Sequence, residues 1–306
     1  MLDPCGYKKF VAEMEKAFEK KVLSPESCVA CVTQDSGLST QDFMIDKDFF
    51  TLQTPRFRIE GRSRSGHETF FRFRELGIAL DIGRCPDLIV SAPQVFITHA
   101  HLDHCAGMAF YAAQRHLQRL PLGRLYVPEE AADGVRELLA LHERLANTHF
   151  DQTEVLALAE GDVVPIPRGR EIIVHRSTHR VPTNAYEVRE TCPERSGRDE
   201  TSLLFYTGDT DRGIFERNEA MFKSEVLIVE CSFVADGDQA RAVKYKHVHF
   251  DDVADFAERF ENEMVILSHF SRRYSRSEIR DEIRRRCPAV LRDRLRLALP
   301  EPYQTM

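Results

Sequence analysis

The sequence predicts a layered α/β protein, and two observations carry that expectation. From Thr51 onward, short β-like runs alternate with amphipathic helical patterns, the order that stacks helices on sheets. Several of these apolar runs end close to a His, Asp or Glu. Strand ends are where α/β folds build sites, because rigid backbone meets an open loop mouth there. A chain of 306 residues, 42% hydrophobic and 30% charged, can bury a sizeable core, which excludes disorder as the main state.

Residues 1–50 read as an N-terminal extension. Phe10, Val11, Met14 and Phe18 mark one amphipathic helix in it, followed by an irregular polar stretch. A lid, a dimer contact or plain packing are all open roles for it. Residues 51–306 read as the main domain. Within it, Glu68–Arg74 and Ile78–Leu80 look like neighbouring strands, the second running into Asp81-Ile82-Gly83. Val95–Ile97 ends at Thr98-His99, and a small-residue helix is expected over Ala106–Gln118. Ile172–Val174 leads into a loop carrying His175 and His179. Leu203–Tyr206 ends at Gly208-Asp209, Val226–Val229 at Glu230, and Val265–Leu267 at Ser268-His269. Asp251 or Asp252 can cap a helix whose apolar face is Val253, Phe256, Ala257 and Phe260. Ser275 and Glu278 fit a capping box that opens a helix through Ile279 and Ile283.

Charge and composition narrow the function. The formal net charge of −7 argues against a nonspecific nucleic-acid binder, which is usually basic. Ten arginines between Arg272 and Arg296 read first as a solvated amphipathic helix, with a local basic surface as the other reading. No apolar run approaches the roughly 18–20 residues of a membrane-spanning helix, so no membrane role is expected. The opening MLDPCGYKKF has no basic region followed by an apolar stretch, and the expected compartment is the cytoplasm. Of the eight cysteines only Cys28 and Cys31 show a CxxC spacing, and no second pair or nearby His completes a zinc knuckle. They are expected to be packed thiols.

The most informative segment is Thr98–His104, THAHLDH, with His99, His101, Asp103 and His104 in six positions. In extended backbone His99 and His101 lie on one side, so both can reach one metal ion. Asp103 and His104 sit in a turn before a helix and point to a second ion. Imidazole and carboxylate suit zinc or another first-row ion, and the ligand types alone leave zinc, manganese and iron open. His179, Asp209 and His269, each after an apolar run, complete a balanced set. His99, His101 and His179 would hold one ion, Asp103, His104 and His269 the other, with Asp209 between them.

Two divalent ions acidify the water between them and so supply hydroxide near neutral pH, able to attack a phosphorus held in line with its leaving oxygen. Asp103 is placed to orient that nucleophile as a base. The leaving oxygen needs a proton, and His247 or His249, both following Lys246, can provide it. Glu230 at a strand end can keep such a histidine protonated.

These residues resemble the metallo-β-lactamase superfamily, and within it the ribonuclease Z (tRNA 3′-endonuclease) family. HxHxDH carries the superfamily. LSHFSRRY at Leu267–Tyr274, TGDT at Thr207–Thr210 and the spacing of Glu230, His247 and His269 are similar to the narrower family. HETFFRF, ALDIGRCP and HVHFDDVADFAERFEN look like its short plant-type form. The resemblance implies an αββα four-layer sandwich, two zinc ions and a homodimer. It also implies cleavage of precursor tRNA to remove the 3′ trailer. His99, His101, Asp103, His104, His179, Asp209 and His269 match metal ligands, Asp103 the base, His247 the proton donor and Glu230 its partner. Arg272, Arg273, Tyr274 and His249 are the expected substrate contacts. One departure bears on substrate: plant-type members insert a long basic arm between the third and fourth metal motifs, but here His179 to Asp209 spans 209 − 179 = 30 positions. A dinuclear phosphodiesterase acting on a small or cyclic phosphodiester is therefore the competing expectation. A binding protein with a degraded site is a third, opposed by the presence of every ligand.

Overall fold

The computed structural model describes residues 49–191 and 200–305. The expected N-terminal helix and the thiols Cys5, Cys28, Cys31 and Cys192 lie outside the described residues.

Two seven-stranded sheets form the centre. The first runs in sequence order through β1 (Phe50–Gln53), β2 (Arg58–Arg64), β3 (Glu68–Phe73), β4 (Ile78–Leu80), β5 (Gln94–Phe96), β6 (Gly123–Pro128) and β7 (Thr153–Leu158). The second holds β8 (Val163–Ile166), β9 (Arg170–Ser177), β10 (Thr183–Thr191), β11 (Glu200–Tyr206), β12 (Val226–Glu230), β13 (Met264–Ser268) and β14 (Leu295–Leu297), also in sequence order. Each sheet begins as an antiparallel meander and ends as a parallel run. Parallel neighbours need crossovers, and the helices supply them.

Period-two alternation divides the strands between layers. On β4, Ile78 and Leu80 join the core between the sheets, whereas Ala79 faces the outer helices. On β12, Val226 and Ile228 face inward, and Leu227 and Val229 face outward. Phe71 meets Tyr206 edge-on across the sheets, with centroids 5.1 Å apart. Ala132, Val135 and Leu139 of the helix Glu129–Ala146 cover the first sheet, and Ile279 and Ile283 of the helix Arg276–Arg286 cover the second. This is the αββα sandwich that the resemblance implied.

Three local expectations change. His175 belongs to β9, which runs on to Ser177, rather than to a loop. Neither Asp251 nor Asp252 caps the helix Phe250–Asp255; His249 does, and Asp252 reaches back to the His249 N–H at 2.9 Å. That helix also stops early, and the expected apolar face continues through a 3-10 turn over Ala257–Arg259. The Ser275–Glu278 capping box forms as expected. Among the described residues, no helix is long and apolar enough to cross a membrane.

Candidate metal centre

The centre is assembled at strand ends. His99 follows β5, Asp209 follows β11, Glu230 closes β12 and His269 follows β13. Gly208, with φ of +59°, turns the chain after β11; a Cβ there would sit 2.9 Å from two Thr98 side-chain atoms, so only glycine permits the approach. His269 adopts a φ of +60°, an unfavourable conformation for a non-glycine residue. Ser63 Oγ accepts its N–H at 2.9 Å, and Ser232 Oγ lies 3.1 Å from its carbonyl.

The seven expected ligands converge. Ligand atoms of His99, His101, His179 and Asp209 lie within 4.8 Å of one another, and those of Asp103, His104 and His269 do the same. In the first group, His99 Nε2 and His179 Nε2 stand 3.0 and 3.3 Å from His101 Nδ1. In the second, His269 Nε2 stands 3.2 Å from His104 Nε2 and 3.4 Å from Asp103 Oδ2. Asp209 joins the two: its Oδ2 is 3.7 Å from His99 Nε2, and its Oδ1 is 3.3 Å from His104 Nε2.

These residues fit a cation. Ligands about 2.1 Å from one tetrahedral ion stand roughly 3.4 Å apart, the spacing found here. Asp209 is 2% exposed and its Oδ1 makes no hydrogen bond, a costly state for a buried carboxylate unless a cation takes the lone pairs. Burial holds His99, His101 and His179 below the ordinary histidine pKa, which keeps their lone pairs free. Burial opposes the charge on His104, but the Asp209 and Asp81 carboxylates push its pKa well up.

A supporting layer orients the ligands, and sequence reasoning missed most of it. Asp81, fully buried, lies 2.8 Å from His104 Nδ1 and accepts from Thr98 N–H at 2.7 Å and from the Tyr206 hydroxyl at 2.8 Å. His179 Nδ1 lies 2.9 Å from the Lys246 carbonyl. Such partners fix ring orientation and tune the ligand. The available signal was the position of Asp81 at the end of β4, but its ligand contact bridges 23 residues.

Beside the ligands, Glu230 is 1% exposed and receives Thr210 N–H at 3.0 Å, Ser232 N–H at 3.1 Å and Ser232 Oγ at 2.8 Å. Its Oε1 stands 2.7 Å from His247 Nδ1. Burial disfavours the His247 charge, yet the Glu230 carboxylate outweighs it and lifts the pKa to about 9. A ring nitrogen of His247 lies within 4.8 Å of ligand atoms of Asp209 and His269.

The expected substrate contacts divide. Arg272 and Arg273 are exposed. Tyr274 is 9% exposed, with its hydroxyl bonded to Asp238. His249 is buried, with Nδ1 accepting Asp251 N–H at 3.1 Å and Nε2 3.0 Å from the Ala235 carbonyl. Both of its ring nitrogens face backbone partners, and the side chain caps the helix Phe250–Asp255.

Comparison with known proteins agrees with this architecture. Residues 85–270 match the β-lactamase superfamily domain. The chain is 30% identical over 257 residues to tRNase Z TRZ1 of Arabidopsis thaliana, covering 76% of this chain and 91% of that protein. It is 29% identical to the chloroplastic tRNase Z TRZ2 of the same plant, covering 76% of this chain and 72% of the relative. Among solved structures, the short form of human tRNase Z superposes with a TM-score of 0.52 at 19% identity, covering 83% of this chain and 95% of that one. YhfI of Bacillus subtilis gives 0.54 at 16% identity, covering 73% and 90%. Fold and site together define a metallo-β-lactamase-fold protein with clustered metal-binding residues. The chain belongs to the metallo-β-lactamase superfamily and, within it, to the ribonuclease Z-like family.

Proposed function

We propose that this protein is an endoribonuclease that removes 3′ trailers from precursor tRNA. The observation that carries the reading is the convergence of seven ligand side chains beside the His247–Glu230 pair. Two divalent ions held by His99, His101 and His179 and by Asp103, His104 and His269, with Asp209 serving both groups, would supply an acidified water and polarise the phosphoryl oxygens, and we take zinc from the family resemblance. The protein's own residues do the rest. Asp103 offers a carboxylate oxygen at the Asp103–His104–His269 group and orients the attacking water. His247, kept protonated by Glu230, gives its proton to the departing 3′ oxygen, which then leaves as a hydroxyl. Arg272 and Arg273 approach the substrate's phosphates. Similarity to tRNase Z TRZ1 over most of its length supports tRNA as the substrate. We also take a homodimer from the family resemblance.

A second reading has one specific observation in its favour. Residues 192–199 alone link β10 to β11, leaving no room there for a long tRNA-gripping arm. A smaller phosphodiester would not need one. The deciding experiment incubates zinc-loaded protein with a precursor tRNA bearing a 3′ trailer and, separately, with bis(p-nitrophenyl) phosphate. The proposal expects cleavage of the precursor after the discriminator base. Turnover of the chromogenic ester alone would favour the small-substrate enzyme.

A further inference from the structure

We infer that Arg84, His67 and Arg272 form a phosphate-binding rim on the Asp103 side of the centre, which takes backbone phosphates of a polynucleotide next to the one being cut. The inference deepens the function proposed above and rests on it for the substrate class.

The rim is built into the metal loops. The turn between β2 and β3 is tied to both of them. Ser65 N–H donates to the Phe270 carbonyl at 3.2 Å, and Gly66 N–H donates to Asp103 Oδ2 at 2.7 Å. Ser63, on the β2 side of this turn, holds the His269 N–H at 2.9 Å. The next residue in the turn is His67, whose Nε2 lies 3.5 Å from Arg84 Nη2. Arg84 comes from the loop after β4, where Gly83 N–H donates to the His104 carbonyl at 3.1 Å. Arg272 follows Phe270 by two positions. Burial first, then the charges of Arg84, Arg272 and Arg62, hold the His67 pKa below its ordinary value.

The local charge is positive in a chain whose formal net charge is −7. Glu68, 3% exposed, accepts Arg84 N–H at 2.9 Å and Arg84 Nη2 at 3.2 Å and also pairs with Arg62. One carboxylate against two guanidiniums leaves a positive charge, and the Arg84 side chain remains 56% exposed. Arg272 adds a second charge, with no carboxylate in ion-pair range among the described residues. Guanidinium forks match phosphate oxygens bidentately. A substrate with a single phosphate is served by the metal ligands. Cationic groups set to one side of them find partners only on a chain with neighbouring phosphates.

The test measures binding directly. Fluorescence anisotropy follows a labelled phosphorothioate oligoribonucleotide, which keeps the backbone charge and resists cleavage, on metal-loaded protein over a salt series. Arg272→Ala should weaken binding about fivefold to tenfold and lower the log–log salt slope by about 0.7, one single-strand phosphate contact. Arg272→Glu should weaken it further, and Arg84→Ala should behave like Arg272→Ala. Arg144→Ala, an exposed arginine on the helix Glu129–Ala146, should match wild type. Wild-type affinity and slope in both Arg272 variants would overturn the rim, and so would absence of oligonucleotide binding by the wild-type protein. Among the described residues Arg272 makes no structural ion pair, so its variants test the rim even if Arg84→Ala loosens Glu68. Cleavage of precursor tRNA by wild type judges the function separately, whichever way the slopes fall.

Discussion

His247 Nδ1 stands 2.7 Å from Glu230 Oε1, and that carboxylate is itself held by Thr210 and Ser232. The imidazole is thereby held beside Asp209 and His269 with its charge favoured. His247→Ala should keep the bound metal and lose roughly 10²- to 10⁴-fold in turnover. His247 titrates above the ordinary histidine value, so the rate should fall as pH rises through its pKa. Glu230→Gln removes the stabilising charge and should move that limb to lower pH. Rate profiles of the two proteins check the direction; an unmoved limb would separate Glu230 from the proton donor.

His249 caps the helix Phe250–Asp255. His249→Ala should cost about 1 kcal/mol, the usual value of a lost cap, and leave turnover per folded molecule intact. Denaturant midpoints and rates measured on one preparation test this. A variant that folds normally yet is inactive would return the proton-donor role to His249.

How far the sequence reached is visible in these two histidines. His99, His101, Asp103 and His104 were legible because their spacing is local: His99 and His101 alternate in extended backbone, and Asp103 and His104 are neighbours in the short helix Leu102–Cys105. His179, Asp209 and His269 were legible because apolar runs announce strand ends. His247 and His249 follow the helix Gln239–Tyr245 and not a strand, and only tertiary contacts separate them: Glu230 reaches one, and the Ala235 carbonyl and Asp251 N–H take the other. Asp81 was seen as a strand end but received no role, since His104, Thr98 and Tyr206 reach it from distant segments. His175 looked like a loop residue because β9 outlasts its apolar run.

Asp81→Asn keeps size but weakens the hold on His104. It should reduce metal affinity by about 10- to 100-fold while leaving the fold intact. Competition with a chromogenic chelator measures the affinity, and circular dichroism reports the fold. Unchanged affinity would limit Asp81 to packing.

Glu187, 1% exposed, is bonded to His175 at 2.8 Å and to Arg189 at 2.9 Å. Burial would raise its pKa, but these hydrogen bonds pull it from 4.5 down to about 2. A folded-state pKa below the unfolded value means the stabilisation is present above pH 4.5 and is lost as pH falls toward 2. The shift corresponds to about 3 kcal/mol as an order of magnitude. Glu187→Gln should therefore be less stable than wild type near pH 6, with the gap narrowing below pH 4.5. A gap that stays constant down to pH 3.5 would contradict the assignment.

The most direct measurement is metal content. Protein purified, zinc-loaded and desalted should carry two ions per chain by plasma mass spectrometry, and Asp209→Ala should lose metal and activity together. Full occupancy in Asp209→Ala, or a wild-type chain that retains no ion under any loading condition, would contradict the account.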